Sequence, residues 1–197
     1  MPEEIDFFKS VVKQIDGQMP ERVLAYLVDG LEVKNLEKKQ LFINPNRVHN
    51  EVGFIVKGLM RGFYINDEGE EITTRLIDRS GFVTYYSAFL AQKSSDYYFQ
   101  CLEDSTILCF TYEYVQAGYQ QHPELERFGR LVAESIIHIL ESRMRSFHFQ
   151  SAQERYLDFV RQYPNLTNRI SLNHLSSYLG VKRPSLSRIR RKLTKNT

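Results

Sequence analysis

From Glu124 to Gln150 the sequence carries no proline and a single glycine, Gly129. Within that run Leu125, Phe128, Val132, Ile136, Ile139, Met144 and Phe147 recur at mostly three- and four-residue steps. That is the spacing of one face of an α-helix. At 1.5 Å per residue such a helix is about 40 Å long, more than is needed to cover one small sheet. Two arrangements bury its stripe. The helix can pack against a second copy of itself, or it can lie across a sheet as a core helix. The first places Phe128, Val132, Ile136 and Ile139 in a homodimer interface.

The chain on either side of this helix differs in texture. Residues 3–30 have helical spacing, with Phe8, Val11, Val12 and Ile15 in one run and Val23, Leu24 and Leu27 in another. Gly17 and Pro20 separate them into two short helices. From about Lys34 to Phe110 short β-branched and aromatic runs alternate with turn signals: Gln40–Ile43, Gly53–Val56, Met60–Ile65, Ile72–Ile77, Tyr97–Leu102 and Thr106–Phe110. Asn66-Asp67-Glu68-Gly69 joins two of them as a hairpin, with glycine where a positive φ is expected. Several short strands at regular spacing predict a sandwich, roll or barrel. The fold class is therefore α+β.

Charge is segregated. Nine of the 26 basic residues, and none of the 24 acidic ones, lie beyond Asp158. A basic end on an acidic body points to a polyanionic partner, and this end carries apolar periodicity that a solvated tail lacks. Ser171 is a good N-cap for a helix whose apolar face is Leu172, Leu175 and Leu179. Gly180 fits the left-handed turn that ends it. Pro184 suits the first turn of a following helix, buried along Leu186, Ile189 and Leu193. The opposite face holds Pro184, Arg188, Arg191 and Lys195, with Ser187 on its flank. A helix-turn-helix presents such a face to the DNA major groove. Arginine pairs in bidentate fashion with guanine, so Arg188 and then Arg183 are the candidate base readers. Ser185, Ser187, Arg191 and Lys195 complete the DNA-facing set. The competing reading is an αα-hairpin with a basic surface.

These features resemble the cyclic-AMP receptor/fumarate–nitrate regulator (CRP/FNR) family of bacterial transcription regulators. The resemblance spans nearly the whole chain. It rests on Phe54-Ile55-Val56-Lys57-Gly58, the hairpin from Asn66 to Ile72, the long helix, and the pairs Leu179-Gly180-Val181 and Leu186-Ser187-Arg188-Ile189. It implies an N-terminal double-stranded β-roll of the cyclic-nucleotide-binding type, a dimerisation helix and a C-terminal winged helix-turn-helix. The corresponding divisions are 1–121, 122–150 and 151–197. It also implies double-stranded DNA with an inverted-repeat operator, a homodimer and a contact to RNA polymerase. Pro184 stands where the family often has a base-reading residue, commonly glutamate. In the sensor half the cyclic-AMP anchors are absent. The position of the ribose-binding Gly-Glu-Leu aligns with Thr84-Tyr85-Tyr86, and that of the phosphate-binding arginine lies near Asp96-Tyr97. A carboxylate there repels a phosphate. The expectation is a roll that does not bind cyclic AMP, with Thr84, Tyr85, Tyr86, Asp96 and Tyr97 as a candidate pocket for another effector.

Other classes fit less well. The two cysteines, Cys101 and Cys109, are too few for an iron–sulfur site and read as buried thiols. The five histidines show no metal-ligand spacing, so neither a metal nor another cofactor is expected. No nucleophile–base motif or phosphate loop suggests an enzyme. No apolar run or signal peptide suggests a membrane, and the expected location is the cytoplasm. The alternative function is a protein-interaction or small-molecule-binding roll with vestigial DNA binding.

Overall fold

The computed structural model describes residues 2–194. Two helices open the chain, α1 (Pro2–Ile15) and α2 (Glu21–Asp29). Eight strands follow: β1 (Glu32–Leu36), β2 (Leu41–Ile43), β3 (Glu51–Lys57), β4 (Leu59–Ile65), β5 (Glu71–Asp78), β6 (Phe82–Val83), β7 (Tyr98–Cys101) and β8 (Ser105–Thr111). A short helix α3 (Tyr86–Ala91) interrupts them after β6. Helices α4 (Tyr112–Gln121), α5 (Pro123–Phe149), α6 (Ala152–Gln162), α7 (Leu172–Leu179) and α8 (Arg183–Thr194) complete the chain.

The strands form two four-stranded sheets, ordered β1-β8-β3-β6 and β2-β7-β4-β5. The described register is antiparallel, with Glu32 opposite Cys109 and Phe54 opposite Leu108. Alternation along β3 and β8 sends successive side chains to opposite faces. Ile55, Ile107 and Cys109 face inward and join Ile43, Met60, Val83 and Phe99 from the other strands in one core. Phe54, Val56, Leu108 and Phe110 face outward and pack with Phe8, Val12, Val23 and Leu24 of the N-terminal helices, and with Leu125 and Phe128 of α5. The outer core thus explains why β3 is apolar on both faces.

By contacts the chain divides into two compact units, Met1–Gly62 with Ile77–Ile136, and Phe63–Leu76 with Ile137–Thr197. The boundary falls within α5. The outer part of the β4–β5 hairpin belongs with the C-terminal helices.

Four elements escape the sequence reading. Strand β1 is mostly polar, β6 is two residues long, and α3 lies in an aromatic run. Helix α4 begins where Thr111 Oγ1 accepts the Tyr114 N–H at 3.2 Å, a cap that overrides the β-like composition of Tyr112–Val115. Both cysteines are buried and free. Burial in the inner core pushes the Cys109 thiol up to about 12, which leaves it inert toward oxidants.

His49 sits at the edge of the roll with its ring against Phe42, centroids 4.8 Å apart. Its Nε2 is buried without a hydrogen-bond partner. Burial pushes its pKa below the usual 6.5; the Lys34 ammonium adds to this and the Glu51 carboxylate opposes it. The unfolded chain therefore binds a proton here more readily than the folded one as acidity rises. Stability attributable to His49 is intact above pH 6.5 and is lost as pH falls below it. Urea midpoints measured from pH 7.5 to about 5 should decline, and His49→Leu should flatten that decline over the same interval.

Candidate nucleic-acid interface

Local sequence fixes the α7–turn–α8 geometry. Ser171 Oγ accepts the His174 N–H at 3.1 Å and starts α7. The helix ends at Gly180, which has φ +64 and ψ 41. The Gly180 and Val181 N–H groups return to the Ser177 and Ser176 carbonyls at 3.1 and 3.0 Å. This pair of bonds is a Schellman motif, and it requires the left-handed residue that glycine supplies most easily. The Lys182 carbonyl then receives the Ser185 and Leu186 N–H groups at 2.9 and 3.1 Å and begins α8.

Helices α6, α7 and α8 pack together around Tyr156, Phe159, Leu166, Ile170, Leu175, Leu179 and Leu186, all buried. Helix α6 opens with a full capping box between Ser151 and Glu154. Of the predicted stripe on α8 only Leu186 is fully buried; Ile189 is half-buried, as is Leu193 near the helix end.

Two arginines close the C-terminus of α7. Arg143 donates to the Tyr178 carbonyl at 2.6 Å, and Arg155 to the Leu179 carbonyl at 2.9 Å. Positive charge there complements the negative end of the helix dipole. On another side of α7, Ser177 Oγ accepts the Thr73 N–H at 2.8 Å and donates to the Glu71 carbonyl at 2.9 Å. The hairpin itself is turned by Asn66, whose Oδ1 accepts the Glu68 and Glu70 N–H groups at 3.1 and 2.8 Å. Gly69 follows at φ +80.

The structure leaves most of the candidate DNA-facing residues exposed, and only some of them share one face. Arg183, Pro184, Ser185, Ser187, Arg188 and Arg191 are all exposed on α8. At 100° per residue, Pro184, Arg188 and Arg191 lie opposite buried Leu186. No ion pair engages Arg183, Arg188 or Arg191 among the described residues. Lys195 lies outside the described residues. Helix α8 ends at Thr194, the last described residue, so the wing implied by the resemblance lies outside the described residues.

The candidate effector residues are arranged differently. The rings of Tyr85 and Tyr97 stack on each other, centroids 4.8 Å apart and 9° from parallel. Tyr97 is only 8% exposed. A Cβ at Gly62 would lie 2.8 Å from the Tyr97 hydroxyl and 2.9 Å from the Phe99 ring. The Tyr97 ring thus lies directly on the β4 backbone, and only glycine leaves room for it. Thr84 is turned to the Glu51 carbonyl at 3.3 Å. Tyr86 and Asp96 are exposed. Tyr97 belongs to the inner core of the roll and Tyr85 packs against it.

The candidate dimer residues also separate. Phe128 is 7% exposed and belongs to the outer core, its ring 6.1 Å from Phe82. Val132 packs against the same core, and Ile136 is half-buried. Phe128 and Val132 thus pack into the core of their own chain along the N-terminal half of α5. Ile139 is 48% exposed. Sequence reading passed over Ile137 and Leu140, which are 54% and 44% exposed and align with Met144 and Phe147. Positions 137, 140, 144 and 147 follow the alternating three- and four-residue steps of a coiled-coil seam.

No helix among the described residues is long and apolar enough to cross a membrane. No protein-family model matches the sequence, and a search of curated proteins finds no match by sequence. Solved structures do match. One is the c-di-GMP-responsive global regulator CLP of Xanthomonas campestris, at 12% identity and TM-score 0.72, over 90% of this chain and 93% of that one. Another is FixK2 of Bradyrhizobium japonicum, at 14% identity and TM-score 0.71, over 84% and 85%. A third, from Eubacterium rectale, is assigned to the CRP/FNR transcriptional regulators and matches at 13% identity and TM-score 0.70, over 91% and 86%. The chain has the fold of the CRP/FNR regulators.

Proposed function

We propose that the protein is a homodimeric, sequence-specific DNA-binding transcription regulator whose α8 enters the major groove. The observation that carries this reading is the exposed face of α8, where Arg188 and Arg191 stand without carboxylate partners among the described residues, beside a turn of helix-turn-helix geometry. Charge-assisted pairing with phosphates and guanine edges is the chemistry such a face serves. The segregation of positive charge beyond Asp158 supports it. The exposed seam Ile137, Leu140, Met144 and Phe147 supports a parallel dimer, with β-branched Ile137 and then Leu140 in the order that favours two strands. Two recognition helices then meet an inverted repeat in successive major grooves about 34 Å apart. The roll does not bind cyclic AMP in this reading. It lacks the phosphate anchor, and the Tyr85–Tyr97 stack fills space in its interior.

Selection of genomic fragments with the purified protein, read by sequencing, tests DNA binding and returns the operator. On that operator Arg188→Ala should weaken binding by about 1–3 kcal/mol per half-site and flatten preference at one symmetric pair of positions. Arg191→Ala, as a phosphate contact, should weaken all operator variants alike and lower the salt slope by about one. Affinities of both variants across single-base operator changes separate the two roles. Uniform weakening by Arg188→Ala would mean that Arg188 holds phosphate.

A further inference from the structure

The C-terminal half of α5, its junction with α6, and helices α6 and α7 border an open-sided cleft of about 850 Å³. Its size falls within the range of small-ligand sites. The walls combine two chemistries. Arg143, Arg145, Arg155 and Arg161 contribute four guanidinium groups, and Asp158 is the one carboxylate among the described lining residues. Asp158 is already engaged, accepting from the Arg161 guanidinium and from the Gln150 side-chain amide. Arg155 is held in place by the Gln150 and Leu179 carbonyls at 2.6 and 2.9 Å, yet pairs with no carboxylate among the described residues. Arg145 is exposed and has no partner among them. The second component is aromatic. Phe149, at the end of α5, is 81% exposed, and Phe147 is 41% exposed. The Arg155 guanidinium lies 5.2 Å from the Phe147 ring centre.

Helix geometry sets the proposed ligand contacts on α5 apart from most of the dimer seam. At 100° per residue, Ser142, Arg145, Ser146 and Phe149 lie on the side of α5 away from Ile137, Leu140 and Met144, while Phe147 lies on the seam side and also borders the cleft. A dimer formed along the seam leaves Arg145 and Phe149 facing solvent. An exposed phenylalanine beside unpaired guanidinium groups, in a concavity, suits a ligand that brings a flat apolar face and a negative charge together.

We propose that this cleft binds a small planar anion, an aromatic ring bearing a phosphate or carboxylate, stacked on Phe149 and paired with Arg145 and Arg155. Such a ligand bridges α5, α6 and α7 at the Gln150–Ser151 junction and so fixes the angle at which the recognition helix is held. The regulatory part of this proposal rests on the reading of α7 and α8 as DNA-binding; the binding site does not.

Three probes share one ring and differ in charge: 1-naphthyl phosphate, 1-naphthoate and neutral 1-naphthalenemethanol. The chain has no tryptophan, so naphthalene fluorescence reports binding to the full protein directly, without DNA. At least one anion should bind saturably and about tenfold more tightly than the alcohol. The stronger anion identifies phosphate or carboxylate as the preferred group. Arg145→Glu and Phe149→Ala should each weaken that binding about tenfold. Both positions are exposed, so far-ultraviolet circular dichroism should show an unchanged fold. Equal binding of anions and alcohol, unchanged affinity in both variants, or absence of saturable binding would overturn the site. Arg188→Ala should leave the naphthalene titration unchanged while altering operator preference, which keeps failure of the ligand site distinct from failure of the DNA-binding reading.

Discussion

Replacing Ile137 and Leu140 together by aspartate is expected to yield a folded monomer whose affinity for an inverted-repeat operator is lower by about 100- to 10,000-fold. The range is the avidity lost when two linked half-site contacts become independent. The fold should survive because both side chains are about half exposed in the monomer, at 54% and 44%. Charged residues at these positions meet water in the single chain and meet each other only across a dimer seam, where burial of unpaired charge is prohibitive. Sedimentation equilibrium gives the oligomeric state and filter binding gives the affinity. A double variant that sediments as a dimer would move the interface off this seam. Phe128→Asp makes the contrasting case. It places a carboxylate in the outer core and should prevent folding rather than dissociate a dimer.

Phe54→Ala should lower stability by about 3–5 kcal/mol, the range for truncating a buried aromatic. Phe54 is fully buried in the middle of β3, between rings of Phe8, Phe7 and Phe82 at 5.1, 5.9 and 5.2 Å. These rings come from α1 and β6, so the cavity cannot close by movement of a single side chain. A loss of this size is a large share of the total stability of an ordinary domain. Chemical denaturation followed by circular dichroism measures it. A loss below about 1 kcal/mol would mean that the N-terminal helix does not seal the outer core.

The α7–α8 pair was legible because its signals are local. Ser171, Gly180, Pro184 and the leucines each act within a few residues of their own backbone, and the outward positions of Arg188 and Arg191 follow from the helical period. The Asn66–Gly69 turn was legible for the same reason. The division of the α5 stripe was not, because the helix is apolar along two lines. Phe128 and Val132 serve the core of their own chain, while Ile137, Leu140 and Met144 face away from it. The two lines differ by roughly 130° around the helix at 100° per residue, and periodicity alone cannot assign either to a partner. The Tyr85–Tyr97 stack was illegible because it joins distant parts of the chain across a roll. A sequence shows aromatic residues near a candidate pocket but not whether they line it or fill it. Gly62 is the trace that survives in sequence, a glycine within a strand marking close approach of another group.

Strand β5 is the last strand of its sheet, so one side of its backbone has no neighbouring strand. The carbonyl of Glu71 and the amide of Thr73 project from the same side, being two residues apart on an extended chain. Ser177 occupies both with one hydroxyl. A helical side chain thereby shields part of an open sheet margin, the kind of surface that otherwise recruits strands from other molecules. The same serine that positions α7 thus guards the protein against cross-β stickiness. Any state in which α7 lifts from the hairpin exposes an adhesive margin, which gives the closed arrangement a solubility advantage of its own.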